Sequence, residues 1–428
     1  MNRIHRIIWS AIREKWIVVS EKASARGCPI IAVGALSLAL LQASLVMPAF
    51  ALDPGALPNG GQVVSGRADI STAGNQMTIN QSSPQLIANW QSFNIGEQAS
   101  VWFNQPDAGS SALNRIADQN PTEILGSLSA NGQVMLVNPS GILFGKTARV
   151  DVGGLVASTL NISNSDYLSG KYVFVNGGGA GKISNEGSIT AASGGVVAFI
   201  APQAGNSGTV RADGGSVAML GGDQVTVSFA DRGLFSYIID KGAVNPLLEN
   251  SGSLQADGGL VAMSAKDAQT LKQLAVNTSG VVRARSLQQK EGRIILSSEG
   301  GEARVTGTLD ASSPDGKGGT VTVTGAHVGL FDNARIDASG ATGGGTVLVG
   351  GDWQGSGTLA HAEAVVMAHT ATIDASAKQQ GDGGKVVVVT CGRPVPEAGG
   401  QSRRKCLMQS CANFLSPIHD RKRFHIVS

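Results

Sequence analysis

The sequence predicts an all-β chain wound as a parallel β-helix. Three observations point there: a recurring strand–turn unit, an excess of glycine with few aromatics, and little helical periodicity after residue 52. Of 428 residues 58 are Gly, while charged residues make up 15% and aromatics 4%. Glycine at roughly twice its ordinary usage suits many tight turns and small packed side chains. A hydrophobic fraction of 42% excludes a solvated, disordered chain. Glycine without a three-residue period, and only 14 prolines, exclude collagen.

The formal net charge of +2 is unevenly spread. Arg3, Arg6, Arg13, Lys15, Lys22 and Arg26 make the first 27 residues basic. Arg393, Arg403, Arg404, Lys405, Arg421, Lys422 and Arg423 do the same for the tail. The body between them is therefore net acidic, which removes the electrostatic basis for nucleic-acid binding.

Residues 1–51 read as an extended signal peptide. The basic start leads into an uncharged stretch over 30–51, centred on Ala35–Leu41. It closes on Ala49-Phe50-Ala51, a small-x-small cleavage pattern for export by the Sec machinery. Cleavage after Ala51 leaves a mature chain starting at Leu52. An uncleaved anchor is the alternative, because the apolar run is long enough to span a bilayer. The body from Leu52 to Thr390 has no cysteine. Cys28 lies in the signal, and Cys391, Cys406 and Cys411 in the tail. This usage agrees with a chain exported unfolded, which gains from avoiding early disulfides.

The strands of residues 166–390 follow from the repeat. Residues 187–199 read GSITAASGGVVAF, 208–219 GTVRADGGSVAM and 252–263 GSLQADGGLVAM. GTLDAS, ARIDAS and ATIDAS recur at 307, 334 and 371. Each unit alternates apolar and polar residues over four to six positions and breaks at Gly, Asn, Asp or Ser. Ile189 and Val210 stand 21 residues apart, one coil; Val210 and Leu254 stand 44 apart, close to two. A weak helical candidate covers Lys266–Leu274. A β-sandwich array is the competing architecture, but it expects larger units and more aromatics. Alternation stops after Thr390, so 391–428 reads as a basic tail, disordered and foreign to the solenoid.

Residues 52–165 differ from these repeats, with more Asn and with Trp90, Phe93, Trp102 and Phe103. In order they carry LPNGGQVVSG from Leu57, NWQSFNIG with Asn94, and VWFNQP from Val101. ALNRI with Asn114 follows, then ANGQVMLVNPSGILFG, which contains Asn138, Pro139, Ser140, Gly141 and Ile142. This series resembles the two-partner secretion domain of the filamentous haemagglutinin family, in the branch of high-molecular-weight adhesins and haem–haemopexin utilisation proteins. Residues 1–27 likewise resemble the extended signal region of large Gram-negative exoproteins. The family's Asn-Pro-Asn-Gly-Ile hallmark reads Asn138-Pro139-Ser140-Gly141-Ile142 here, and of a second Asn-Pro motif only Asn120-Pro121 remains.

The resemblance implies a right-handed β-helix and a secreted adhesin- or haemagglutinin-like exoprotein, released or held at the cell surface. It implies a cognate outer-membrane β-barrel transporter with periplasmic POTRA domains, and ligands on host or bacterial surfaces. Asn94, Asn114 and Asn138–Ile142 become the candidate residues for transporter recognition. For Asn138–Ile142 a plain coil-capping turn is the rival role. The alternatives are a β-helix polysaccharide-active enzyme and a haem-acquisition or contact-inhibition exoprotein.

No catalytic, cofactor or metal site is expected. Gly145-Lys146-Thr147 lacks the first glycine of a phosphate loop, and Gly177-Gly178-Gly179 reads as a coil corner. Cys406 with Cys411, and His419 with His425, have no usual ligand spacing. Asp213, Asp257, Asp310, Asp337 and Asp374 recur with the repeat, which indicates turns rather than catalysis.

Overall fold

The computed structural model of the protein describes residues 5–10, 15–20, 52–391 except 230–234, 270–271, 288–289 and 354–355, and 406–408. Ala49 and Ala51 lie outside the described residues, as does most of the tail. Contacts divide the chain at Ala51 into two units. In the first, His5–Ser10 and Lys15–Ser20 pair antiparallel.

The second unit is a parallel β-helix with three walls. One wall is a twelve-stranded sheet from Ala68–Ala73 to Thr372–Asp374, parallel throughout except for its first pair. A second wall runs from Gln85–Trp90 to Lys385–Cys391. The third runs from Thr122–Ile124 to Ala364–Met367. The long strands Arg293–Val305 and Thr320–Leu330 each turn the corner between the second and third walls. Cys406–Met408 lies antiparallel against Val389–Cys391.

Period-two alternation explains the walls. On the first wall Met77, Val101, Leu128, Val150, Ile189, Val210, Leu254, Val282, Leu309 and Ile336 pair in register and are all buried. Each coil thus buries the inward row of the next. Earlier coils hold the interior aromatics: Phe93 stacks with Phe103, and Phe144 with Phe199 at 6.1 Å.

Corners set tighter limits. A Cβ on Gly252 would lie 2.1 Å from the Gly208 carbonyl oxygen, and one on Gly208 2.1 Å from that of Gly187. Close approach, not backbone angle, demands glycine there. At another corner Gly194, Gly214 and Gly258 have φ of 82°, 67° and 71°, where a side chain is strained. Inside the third wall a buried amide ladder climbs the stack. Asn185 Nδ2 donates to Asn206 Oδ1 (2.7 Å), and Asn206 Nδ2 donates to Asn250 Oδ1 (2.8 Å). Asn250 Nδ2 donates to Thr278 Oγ1 (3.2 Å).

The repeat aspartates fall into two register classes, not one. Asp310, Asp337 and Asp374 pair in register, each accepting from the Ser two residues on. Asp213 and Asp257 sit two positions further along the coil, because Arg211 and Gln255 occupy the Asp310 row. Burial opposes ionisation of Asp310, yet Ser312 and Arg285 hold its carboxyl below the usual range. These are turn and corner roles.

Two expectations fail for one reason: insertions. Val210 pairs directly with Leu254, so 44 residues make one coil carrying a hairpin, not two coils. That hairpin, Gln224–Phe229 with Phe235–Lys241, joins Tyr172–Val175 in a separate three-stranded antiparallel sheet. Gly177–Gly179 belong to the loop returning from this outer sheet to the coil, not to a plain corner. Nor is Lys266–Leu274 helical: Leu260–Lys266 and Leu274–Thr278 are strands of adjacent walls. The helix among the described residues is Asn164–Leu168, capped by Ser163, whose hydroxyl accepts from Asp166 N–H (3.0 Å).

The outer sheet creates a second core. Ile87, Leu113, Met135, Val156 and Ala198 point outward from the second wall and are buried under Tyr167, Phe174, Val225, Val227 and Phe235. Tyr167 shares a 2.6 Å hydrogen bond with Ser111 Oγ, and burial pushes its phenol up to about 12.

Three outcomes follow for the purified chain. Gly252→Ala should lower stability to urea by about 1–3 kcal/mol, as overpacking does. Gly205→Ala, where an added Cβ meets nothing within 4 Å, should stay within about 0.5 kcal/mol. Tyr167 retains its proton more tightly when folded than unfolded, so its stabilisation is complete below about pH 10 and is lost on going towards pH 12. Tyr167→Phe should show a smaller loss over that interval in pH-resolved denaturation.

Candidate secretion-motif site

Asn138–Ile142 turns the corner from Gln133–Val137 on the second wall to Ile142–Phe144 on the third. Asn138 closes the turn from within: its Oδ1 accepts from Ser140 N–H (2.9 Å), and its carbonyl from Gly141 N–H (3.0 Å). An Asn-Pro-Ser-Gly segment folds this way because Asn mimics a turn backbone and Gly takes the left-handed position. Gly141 has φ of 120°, and a Cβ on it would stand 2.9 Å from the Lys182 carbonyl oxygen.

The corner is packed between its neighbours. Below it, Asn138 Nδ2 donates to the Asn120 carbonyl (3.2 Å) and Thr122 Oγ1 (3.0 Å), and Ser140 Oγ donates to the Asp118 carbonyl (2.8 Å). Above it, Gly181 N–H donates to the Pro139 carbonyl (3.1 Å), and Ile142 N–H to that of Lys182 (3.0 Å). Asn138, Gly141 and Ile142 are buried, Ser140 is half-buried and Pro139 is exposed.

Asn94 serves the same short strand from the preceding coil, its Oδ1 accepting from Glu123 N–H (2.8 Å). Strand Thr122–Ile124 is thus held by Asn94 on one side and Asn138 on the other. Asn114 lies apart, inside the second wall. Its Oδ1 accepts from Trp90 Nε1 (2.9 Å), while its Nδ2 donates to the carbonyls of Ala112 and Met135. The structure therefore unites two of the three candidate asparagines and separates the third.

Two further residues share this work, and no sequence argument isolated them. Gln105 of the VWFNQP segment is buried; its Oε1 accepts from Gly132 N–H (2.9 Å) and its Nε2 donates to Gln81 Oε1 (3.3 Å). Arg115 of ALNRI ties the second wall to the insertion, donating to Asn161, Asn164 and the Ile162 carbonyl. An in-register Gln81–Gln105 spacing close to one coil was the available signal.

Residues 55–311 match the TPS secretion domain family. The chain belongs to that family. Residues 1–48 match the extended signal peptide of type V secretion systems. Together these make the chain an exported two-partner secretion exoprotein of Gram-negative type. The TPS match runs on through coils that lie beyond residue 165. The chain is 46% identical over 106 residues to a heme/hemopexin-binding protein of Haemophilus influenzae strain Rd, which covers 25% of this chain and 12% of that protein. A second H. influenzae heme/hemopexin-binding protein is 38% identical over 103 residues, covering 24% and 11%. The matches thus span about an eighth or less of the curated relatives. The HMW1 secretion domain of H. influenzae superposes with a TM-score of 0.71 at 32% identity, covering 77% of this chain and 87% of that one.

Asn138→Ala leaves the Thr122 hydroxyl and the Asn120 carbonyl without their buried partner. It should cost about 1–3 kcal/mol in urea denaturation. Pro139→Ala, on an exposed residue, should cost less, about 0.4–1 kcal/mol, because it loosens the unfolded chain.

Proposed function

We propose that this TPS domain directs an adhesin- or haemagglutinin-like exoprotein through a cognate outer-membrane β-barrel transporter with POTRA domains. Sec delivers the chain to the periplasm, cleavage after Ala51 frees Leu52, and residues 52–165 lead the way to the transporter. Asn94, Asn114, Asn138, Pro139, Ser140, Gly141 and Ile142 are read there while the chain is extended. The observation that supports this reading is the burial of Asn138: its amide is spent inside the fold, so only an unfolded segment can present it. An extended segment can add to an exposed sheet edge by main-chain hydrogen bonds. Outside, the same residues close their corner, and coils that touch only their neighbours add in order. Folding then opposes return.

We read the chain as non-enzymatic, with its effector work directed at host or bacterial surface ligands. The recurrent carboxylates support this, being engaged in turns and ion pairs with Arg211, Arg283, Arg285, Arg335 and Lys378. The names of the curated relatives favour a haem-acquisition exoprotein as the second reading. Haem titration of the purified chain, followed by absorbance, distinguishes it.

Co-expression with and without the cognate barrel tests the main reading. Export should require the barrel, and Asn138→Ala should reduce it. Equal export with and without the barrel overturns the proposal.

A further inference from the structure

The chain has three Asn-Gly pairs, at Asn59, Asn131 and Asn176. An Asn side chain followed by Gly can cyclise, because the next peptide nitrogen meets no Cβ on its way to Cγ. The structure treats the three pairs very differently.

Asn131 is locked. Its Oδ1 accepts from Gln105 N–H (2.7 Å) and its Nδ2 donates to the Gln105 carbonyl (2.7 Å). The nitrogen that would attack, Gly132 N–H, already donates to Gln105 Oε1. Asn59 is pinned through its backbone: its N–H donates to the Ser92 carbonyl and its own carbonyl accepts from Gln91 and Ser92 N–H. Gly60 is crowded as well, since a Cβ there would lie 2.5 Å from the Gln91 side chain.

Asn176 has its amide held as well, but here the attacking nitrogen is free. Gly177 is exposed, a Cβ on it would meet nothing within 4 Å, and its N–H has no hydrogen-bond partner among the described residues. Gly178 N–H donates to Asn176 Oδ1 (2.9 Å). That donor faces the oxygen on which negative charge develops when Cγ is attacked, as an oxyanion-hole donor does. Asn176 Nδ2, the group that leaves, donates to Asp223 Oδ1 (2.9 Å).

We infer that Asn176-Gly177 is a site of spontaneous deamidation that unclamps the outer sheet. Gly177 N bonds to Asn176 Cγ and the Cγ–Nδ2 bond breaks. The departing amide takes up the proton lost from Gly177 N–H and leaves as ammonia. Water then adds across one imide C–N bond, giving Asp or isoaspartate at 176.

The consequence follows from position. Asn176 N–H donates to the Asp223 carbonyl (2.8 Å), beside the paired residues Val175 and Gln224, where the outer strands enter their sheet. After conversion a carboxylate faces the Asp223 carboxylate where an amide donated. A hydrogen bond becomes a like-charge contact at the end of the sheet that covers the second core.

The test is peptide mapping by mass spectrometry on the full purified chain, held folded at mildly alkaline pH. Asn176 should convert roughly tenfold faster than Asn59 or Asn131, equivalent to about 1.4 kcal/mol of barrier. Gly177→Ala should slow it by a similar factor. Equal rates at the three pairs, or Asn131 converting first, overturn the site. Asn176→Asp, which mimics one product, should speed hydrogen exchange in 224–229, and Asp223→Asn added to it should restore protection. Unchanged exchange in Asn176→Asp overturns the clamp.

Discussion

Parallel hydrogen-bond ladders hold successive coils about 4.8 Å apart, and the rest of the molecule answers to what fits in that gap. At the corners the chain crosses its predecessor so closely that a methyl group would meet a carbonyl oxygen, as at Gly208 and Gly252. Inside, like stacks on like. Asn185, Asn206 and Asn250 satisfy one another, Phe144 lies over Phe199, and Ala212, Ala256, Ala284, Ala311, Ala338 and Ala375 are all buried where the first wall ends. A side chain of another size would displace the coils above and below it. The glycine excess and the scarcity of aromatics are that constraint written into composition.

Stacking solves the interior and leaves the end and the outside. At its first coil the chain folds back: Ala68–Ala73 pairs antiparallel with Gln76–Gln81, and Gln62–Ser65 with Gln85–Trp90. These antiparallel pairings cover backbone groups that the parallel stack would otherwise leave as an open edge. On the outside, one wall is apolar on both faces. Its outward row from Ile87 to Ala198 would remain wet without the outer sheet, and fully burying each large side chain there is worth about 1.5–3 kcal/mol.

What the sequence revealed and what it hid divide along the same line. The coil was legible, because inward alternation and corner glycines repeat with the 21-residue step from Ile189 to Val210. The outer sheet was not, because an insertion leaves the coil at one corner and returns to it, preserving the alternation on both sides. Spacing alone cannot separate two coils of 22 residues from one coil with a hairpin. The distinguishing signal lay in the inserted residues: Val225, Val227, Phe235, Tyr237 and Ile239 form a dense apolar and aromatic alternation without corner glycines. At the motif, Asn138 was legible as a turn residue. Its partners Thr122 and Asn120 were not, because stacking across coils joins residues that no local pattern links.

The outer sheet also makes folding less local than a plain solenoid. Coils need only their neighbours, but Tyr172–Val175 pairs with Gln224–Phe229, across the coil strands from Ile183 to Gly221. Closing so long a loop directly is costly, and that cost grows slowly with length. The intervening coils change the problem. Once Ile183–Gly221 has stacked, both partners stand beside the same wall, and the hairpin has only to fold down upon it. On the export route proposed above, the stack therefore grows with the outward face of its second wall covered only in part, by Tyr167 and Phe174, until residues 224–241 arrive. The hairpin that then pairs with Tyr172–Val175 ties early coils to late ones, so loss of the early coils must break contacts made by the later chain.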